Sequence, residues 1–324
     1  GTAINDYGLR GESALQTASR RGHVALVHYL LSRGADVNLA PSDSEHGASA
    51  LYAALEGGHH KLAYDLVDAG ANVMAGIGRA NGATILEAMM SQILPYRTVP
   101  SAEDYNRTFK RLLALGAPVN RTNGTASRIL HNLVEAKQHE CLELALRAGA
   151  RTEDTLMGLT PLQAAAFLGD MNSVQILIAH GANVNTSEDQ ESLQPAFGRT
   201  ALQVATSSEN PNLEVIHLLL CEGADVNAPP AKKGGVTALQ GAAIQGHMEI
   251  ARLLLAHGAL INALPALEEG RTAVEGAAEH GRMEMVRFLF SEGALPDPFL
   301  GFSRAIELAE KECHLGIVKY LREQ

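Results

Sequence analysis

The chain has 324 residues, 46% of them hydrophobic but only 4% aromatic and none Trp, as expected where Leu, Ala and Val fill a core between thin helices. A formal charge of −10 argues against phosphate-backbone binding, since no basic run is longer than a pair such as Arg20-Arg21 or Lys232-Lys233. No apolar run approaches the ~20 residues of a membrane span, and Cys141, Cys221 and Cys313 lie far apart in helical patterns, which fits buried, reduced thiols.

Residues 1–12 read as the end of a loop, as in a piece cut from a longer array. From Ser13 a two-helix unit begins and recurs at about 13–38, 49–73, 84–120, 128–152, 160–185, 200–227, 237–262, 272–295 and 304–324. The copy from Gly234 to Asn262 states the unit most fully. Thr237 precedes an apolar-periodic run, so its hydroxyl is placed to accept a first-turn N–H. Leu239, Ala242 and Ala243 share one side of a short helix, which Gly246 closes by taking positive φ. Ile250, Leu253 and Leu254 then recur at helical spacing, and Gly258 ends that second helix. Two such helices cannot bury their faces alone, so each unit needs neighbours.

Departures from the unit fall in definite places. The third carries an insertion over about 91–104 with Pro95 and Pro100, and its Tyr96, Tyr105 and Phe109 are expected to fill a gap between longer helices. The fourth has Arg128 where a capping Thr belongs, with Ser127 as the alternative cap, and Lys137 in place of the helix-ending Gly. The last unit ends in polar Arg322-Glu323-Gln324, suited to a solenoid terminus.

The cap-to-cap steps are 36 from Ser13 to Ser49, 37 from Thr200 to Thr237 and 35 from Thr237 to Thr272. This period, with T-[PA]-L opening the first helix and L-L-x-x-G-A-[DN]-V-N closing the second, resembles the ankyrin repeat. Thr160-Pro161-Leu162-Gln163 is nearest to the family's Thr-Pro-Leu-His, and the resemblance covers about Ser13 to Leu321. It implies an all-α solenoid of about eight to nine repeats with short β-hairpin fingers, one array across residues 1–324. The long fingers bearing Pro229-Pro230, Pro265, Pro296 and Pro298 resemble the ankyrin tails of large fungal multidomain proteins.

Sequence signals for chemistry are weak. His23, His59 and His247 follow helix-ending glycines, a position the family often fills with His for structural reasons, and no metal-binding His/Cys spacing is present. Gly76 to Gly82 fails as a phosphate-binding glycine motif in its last spacing and lacks a βαβ context. No cofactor is expected, and the chain reads as non-catalytic.

The resemblance implies recognition of a protein or peptide on a concave face, to which the two residues ahead of each helix-ending position project: Arg20-Arg21, Glu56-Gly57, Phe167-Leu168, Ile244-Gln245 and Glu279-His280. Phe167, Leu168 and Ile244 are apolar where a solvated surface would be polar. They mark either a contact site, together with Phe197, or side chains covered by a neighbouring finger. Gly241 and Gly276, inside first helices, imply either close approach of a neighbour or a widened groove. The chain is thus expected to be an intracellular, monomeric interaction scaffold that binds neither nucleic acid nor membrane. The alternative is an enzyme or small-molecule binder working in the groove, with converging His, Glu and Tyr near residues 91–139.

Overall fold

The computed structural model describes residues 3–8, 11–40, 48–74, 83–90, 102–121, 125–187, 199–295 and 302–324. These fall into two compact units, Gly1–Thr155 and Leu156–Gln324. The first holds α1 (Ala14–Arg20), α2 (Val24–Ser32), α3 (Ala50–Glu56), α4 (His60–Asp68), α5 (Ile85–Met90), α6 (Ala102–Ala114), α7 (Ile129–Glu135) and α8 (His139–Arg147). The second holds α9 (Pro161–Phe167), α10 (Met171–Ala179), α11 (Ala201–Thr206), α12 (Leu213–Cys221), α13 (Ala238–Gln245), α14 (Met248–Ala256), α15 (Ala273–Glu279), α16 (Met283–Ser291), α17 (Ser303–Lys311) and α18 (Leu315–Arg322).

Within each unit, first helices stack on first helices, α1 on α3 on α5 on α7 and α9 on α11 on α13 on α15 on α17. Second helices do likewise for α4, α6 and α8, and for α10, α12 and α14. The core is the seam between the rows. In the 237–262 copy, Leu239, Ala242, Ala243, Ile250, Ala251 and Leu254 are buried, whereas Leu253 is only half-buried. Ala251 therefore takes the place beside Ile250 and Leu254 in the seam that the i, i+3, i+4 reading gave to Leu253.

Local chemistry starts and stops each first helix. Thr237 Oγ1 accepts the Gln240 N–H at 3.3 Å, while Gln240 Oε1 accepts the Thr237 N–H at 2.9 Å, a capping box. Thr160/Gln163, Thr200/Gln203 and Ser13/Gln16 repeat the pair. Gly246 closes α13 in the left-handed conformation at φ 83°. Lys137, which replaces that glycine in the fourth unit, takes φ 52°.

Arg128 stands at the start of α7 without a side-chain cap bond. The carboxylate of Glu87, buried on α5, compensates: it accepts the Arg128 N–H at 3.0 Å, Arg121 Nε at 3.0 Å and the Ser127 hydroxyl at 3.1 Å. Ser127 Oγ takes up the shifted cap, accepting the Ile129 N–H at 3.4 Å, and Glu87 of the preceding repeat holds it there.

The fingers differ from the expected β-hairpins. Among the described residues they hold only isolated bridges, including a parallel one between Lys233 and Glu268. Prolines withdraw N–H donors from any ladder, and Gln amides take the finger carbonyls. Gln240 Nε2 donates to the carbonyls of Ala263 and Leu264 at 3.1 and 3.2 Å, and Gln203 Nε2 to those of Ala228 and Pro229 at 2.8 and 3.0 Å.

Where a unit ends in Asn, that side chain joins it to the next. Asn227 Nδ2 donates to the Gly258 carbonyl at 3.0 Å, and Asn227 Oδ1 accepts the Leu260 N–H at 2.8 Å. Asn185 does the same with Gly223 and Asp225 at 2.9 and 2.7 Å.

In the third unit α6 begins at Ala102, inside the stretch expected to be an insertion. Tyr105 and Phe109 are fully buried on it, stacked at 6.3 Å between ring centres, with Tyr105 Oη donating to Met90 Sδ at 3.1 Å. They fill the interior as expected; Tyr96 lies outside the described residues. Of the three free cysteines only Cys141 is buried, while Cys221 and Cys313 are exposed, contrary to the expectation of buried thiols.

Candidate partner-binding surface

The residues ahead of each helix-ending position sit at the C-terminal ends of the stacked first helices. In the second unit these are Phe167 and Leu168, then Ser207, then Ile244 and Gln245, then Glu279 and His280, one pair or residue per repeat.

Phe167 is 51% and Leu168 44% exposed, and much of the finger that follows their repeat lies outside the described residues. Ile244 is only half-buried, and its flank has a packing role. A Cβ on Gly276 would stand 2.5 Å from Ile244 Cγ1, and one on Gly241 would stand 2.5 Å from Ser207 Oγ. Both glycines therefore answer to close approach of the preceding repeat, not to a widened groove.

Gln245 Nε2 donates to the Ser207 carbonyl at 3.2 Å. Glu279 accepts from Arg271 through both oxygens, Nε at 2.8 Å and Nη2 at 3.1 Å, and this pairing holds its carboxyl below the usual range. His280 is exposed.

In the first unit, Arg20 and Glu56 belong to an ion-pair cluster. Arg20 Nη2 lies 2.6 Å from Glu12 Oε1, and Nη1 meets Glu56 Oε2. Both are engaged with each other across adjacent repeats, which leaves Arg21 as the exposed member of that set. Phe197 lies outside the described residues.

The histidines after the helix-ending glycines have structural partners. His59 Nε2 donates to the Arg20 carbonyl at 3.2 Å and His247 Nε2 to the Ser208 carbonyl at 2.9 Å. Among the described residues there is no group of three or more His, Cys, Asp or Glu placed to hold a metal. Of the region 91–139, the alternative small-molecule site, residues 91–101 lie outside the described residues. Tyr105 beyond them is buried, its hydroxyl pushed well above its ordinary pKa by desolvation.

A surface not anticipated from the sequence lies on the second helices of the second unit. A hollow of about 490 Å³ is lined by Met171 of α10, by Leu213, Glu214, His217, Leu218 and Cys221 of α12, and by Glu249 and Leu253 of α14. The signal for it was His217. The equivalent position in the next two repeats is Arg252, whose guanidinium covers the Phe288 ring at 4.6 Å, and Arg287, which covers Tyr320 at 5.2 Å. An imidazole is too short to cover Leu253 in the same way.

Family models describing ankyrin repeats (3 copies) match residues 1–76, 101–188, 130–230 and 209–300. The E3 ubiquitin-protein ligase KEG of Arabidopsis thaliana is 29% identical over 244 residues, which is 72% of this chain and 14% of that protein. Protein fem-1 homolog A of Bos taurus is 36% identical over 96 residues, 30% of this chain and 14% of that protein. Glycerophosphocholine phosphodiesterase gde1 of Schizosaccharomyces pombe is 29% identical over 127 residues, 36% of this chain and 11% of that protein. The chain thus spans about a seventh or less of these relatives. No helix among the described residues is long and apolar enough to cross a membrane. Matched repeats, reciprocal Thr/Gln caps and Asn links between successive helix pairs lead to one assignment: the chain belongs to the ankyrin-repeat family.

Proposed function

We propose that the chain is a non-catalytic recognition module, the binding part of a larger intracellular protein, acting as a monomer. A protein or peptide partner lies along the ends of the first helices in the second unit, the row that a curved ankyrin array turns to its concave face. Phe167 and Leu168 are the apolar anchors, with Ile244 farther along the row past Ser207 and Gln245, Glu279 and His280 as a polar rim. One observation carries the reading: two adjacent large apolar side chains stand in solvent on a row that is otherwise polar or half-covered. The stretches matched in KEG, fem-1 homolog A and gde1 make up 14%, 14% and 11% of those proteins, which supports a module with an appended role.

The test replaces Phe167 and Leu168 with Ser and compares quantitative capture of cellular proteins by the two chains. Partners bound at the row are lost or weakened by about tenfold or more, as for truncated hot-spot residues, while helical content and the melting temperature stay near the parent values. Unchanged capture sinks the proposal, and an unfolded variant shows the pair to be core.

A further inference from the structure

We propose that the hollow over α12 is a second docking surface, which takes an amphipathic helical segment whose apolar side chains are flanked by Arg or Lys. The floor is apolar, with Met171, Leu213, Leu218 and Leu253 around it. It continues into an adjoining hollow of about 520 Å³ that shares Leu213 and Glu249 and adds Glu209 at its margin. Glu209, Glu214 and Glu249 border the two, and no Lys or Arg lines either one. None of the three carboxylates is in an ion pair among the described residues.

The two following repeats show what such a surface accepts. There the chain lays its own guanidinium over the apolar position, Arg252 on Phe288 and Arg287 on Tyr320. At His217 and Leu253 that cation is absent, so an incoming segment that carries both apolar side chains and a cation completes the pattern. The surface lies on the second helices and is independent of the Phe167 row.

Cys221 lines the hollow and Cys313 lies elsewhere on the exposed surface, so thiol reactivity reports which place is occupied. Three fluorescein-labelled 14-residue peptides would be titrated by anisotropy into the intact chain. One carries a Leu stripe at helical spacing with Arg on its flanks, one the same stripe with Glu, and one the Arg flanks with Ser replacing Leu.

The Leu/Arg peptide is expected to bind and to slow reaction of Cys221, but not of Cys313, with an aromatic disulfide reagent. Glu214→Gln with Glu249→Gln, both exposed and without structural partners, weakens it by about tenfold. The idea is overturned if the Leu/Glu peptide binds as well, if the Ser/Arg peptide does so through charge alone, or if binding leaves Cys221 as reactive as before.

Discussion

Gly276 offers the sharpest test of how the first helices stack. In Gly276→Ala the new methyl would stand 2.5 Å from Ile244 Cγ1 and 3.3 Å from Cδ1, against a comfortable carbon contact of about 3.5–4.0 Å. The closer atom is the inner carbon of a β-branched side chain, so either χ1 of Ile244 or the α13–α15 spacing must give. Overpacking of this kind costs about 1–3 kcal/mol, offset by about 1 kcal/mol of helix propensity gained over glycine. The net expectation is a loss of about 0–2 kcal/mol.

In an Ile244→Ala background the obstacle is gone and the same substitution should stabilise by about 1 kcal/mol. The two substitutions are therefore coupled by about 1–3 kcal/mol. Urea unfolding of the four proteins, followed by circular dichroism at 222 nm, supplies the cycle. Amide exchange of α15 supplies a local readout that does not depend on the array melting as one unit. If Gly276→Ala has the same effect in both backgrounds, Ile244 does not require the glycine and the packing account fails.

Three further outcomes follow from the same contacts. Gln240→Ala removes half a capping box and both finger bonds and should cost about 1–2 kcal/mol. Gln240→Glu keeps the cap acceptor but buries a carboxylate against the Ala263 and Leu264 carbonyls without the Arg304 partner that Glu275 has, so its urea midpoint at pH 7 should fall at or below that of the Ala variant. Burial depresses the pKa of His60 below its ordinary value, partly countered by Asp104, and neither ring nitrogen has a hydrogen-bond partner among the described residues. Below about pH 6.5 the unfolded chain then binds a proton that the folded one refuses. Stability is thus fully present above that pH and falls as pH drops through the window, and His60→Leu should flatten the Tm–pH curve there. Burial first, and Glu140 after it, push the Cys141 thiol up to about 12, so at pH 8 a thiol reagent should count two fast sulfhydryls and one that reacts only on unfolding.

What the sequence disclosed divides along the range of the interactions. Thr237 as cap and Gly246 as stop were legible because their partners lie within one turn. The burial of Tyr105 and Phe109 followed from aromatic character alone. Leu253 was misplaced because periodicity marks an apolar face but not which edge of it meets the next repeat. Arg20 and Glu56 looked like free recognition residues, yet they are 36 positions apart and neutralise each other. The fingers looked like hairpins because the reach of the Gln203 and Gln240 amides into the following loop depends on stacking. The hollow at His217 was hidden for the same reason: it exists only by contrast with Arg252 and Arg287 in later repeats.

These contacts also separate the positions that build the array from those free to vary. The cap hydroxyl, the residue three after it, the helix-ending glycine and the terminal Asn each bond within their own repeat or to the next one. Substitution at any of them strains an interface that every neighbour uses, and in a stack held by nearest-neighbour contacts that loss is transmitted along the row. Phe167 and Leu168 stand two and one residues before Gly169, and the end of α9 is closed by the backbone N–H groups of Leu168, Gly169 and Asp170, not by their side chains. Side chains can change there without altering the backbone that presents them. On the proposed reading, a repeat scaffold gains its specificity at such positions, and Phe167 and Leu168 are its apolar anchors.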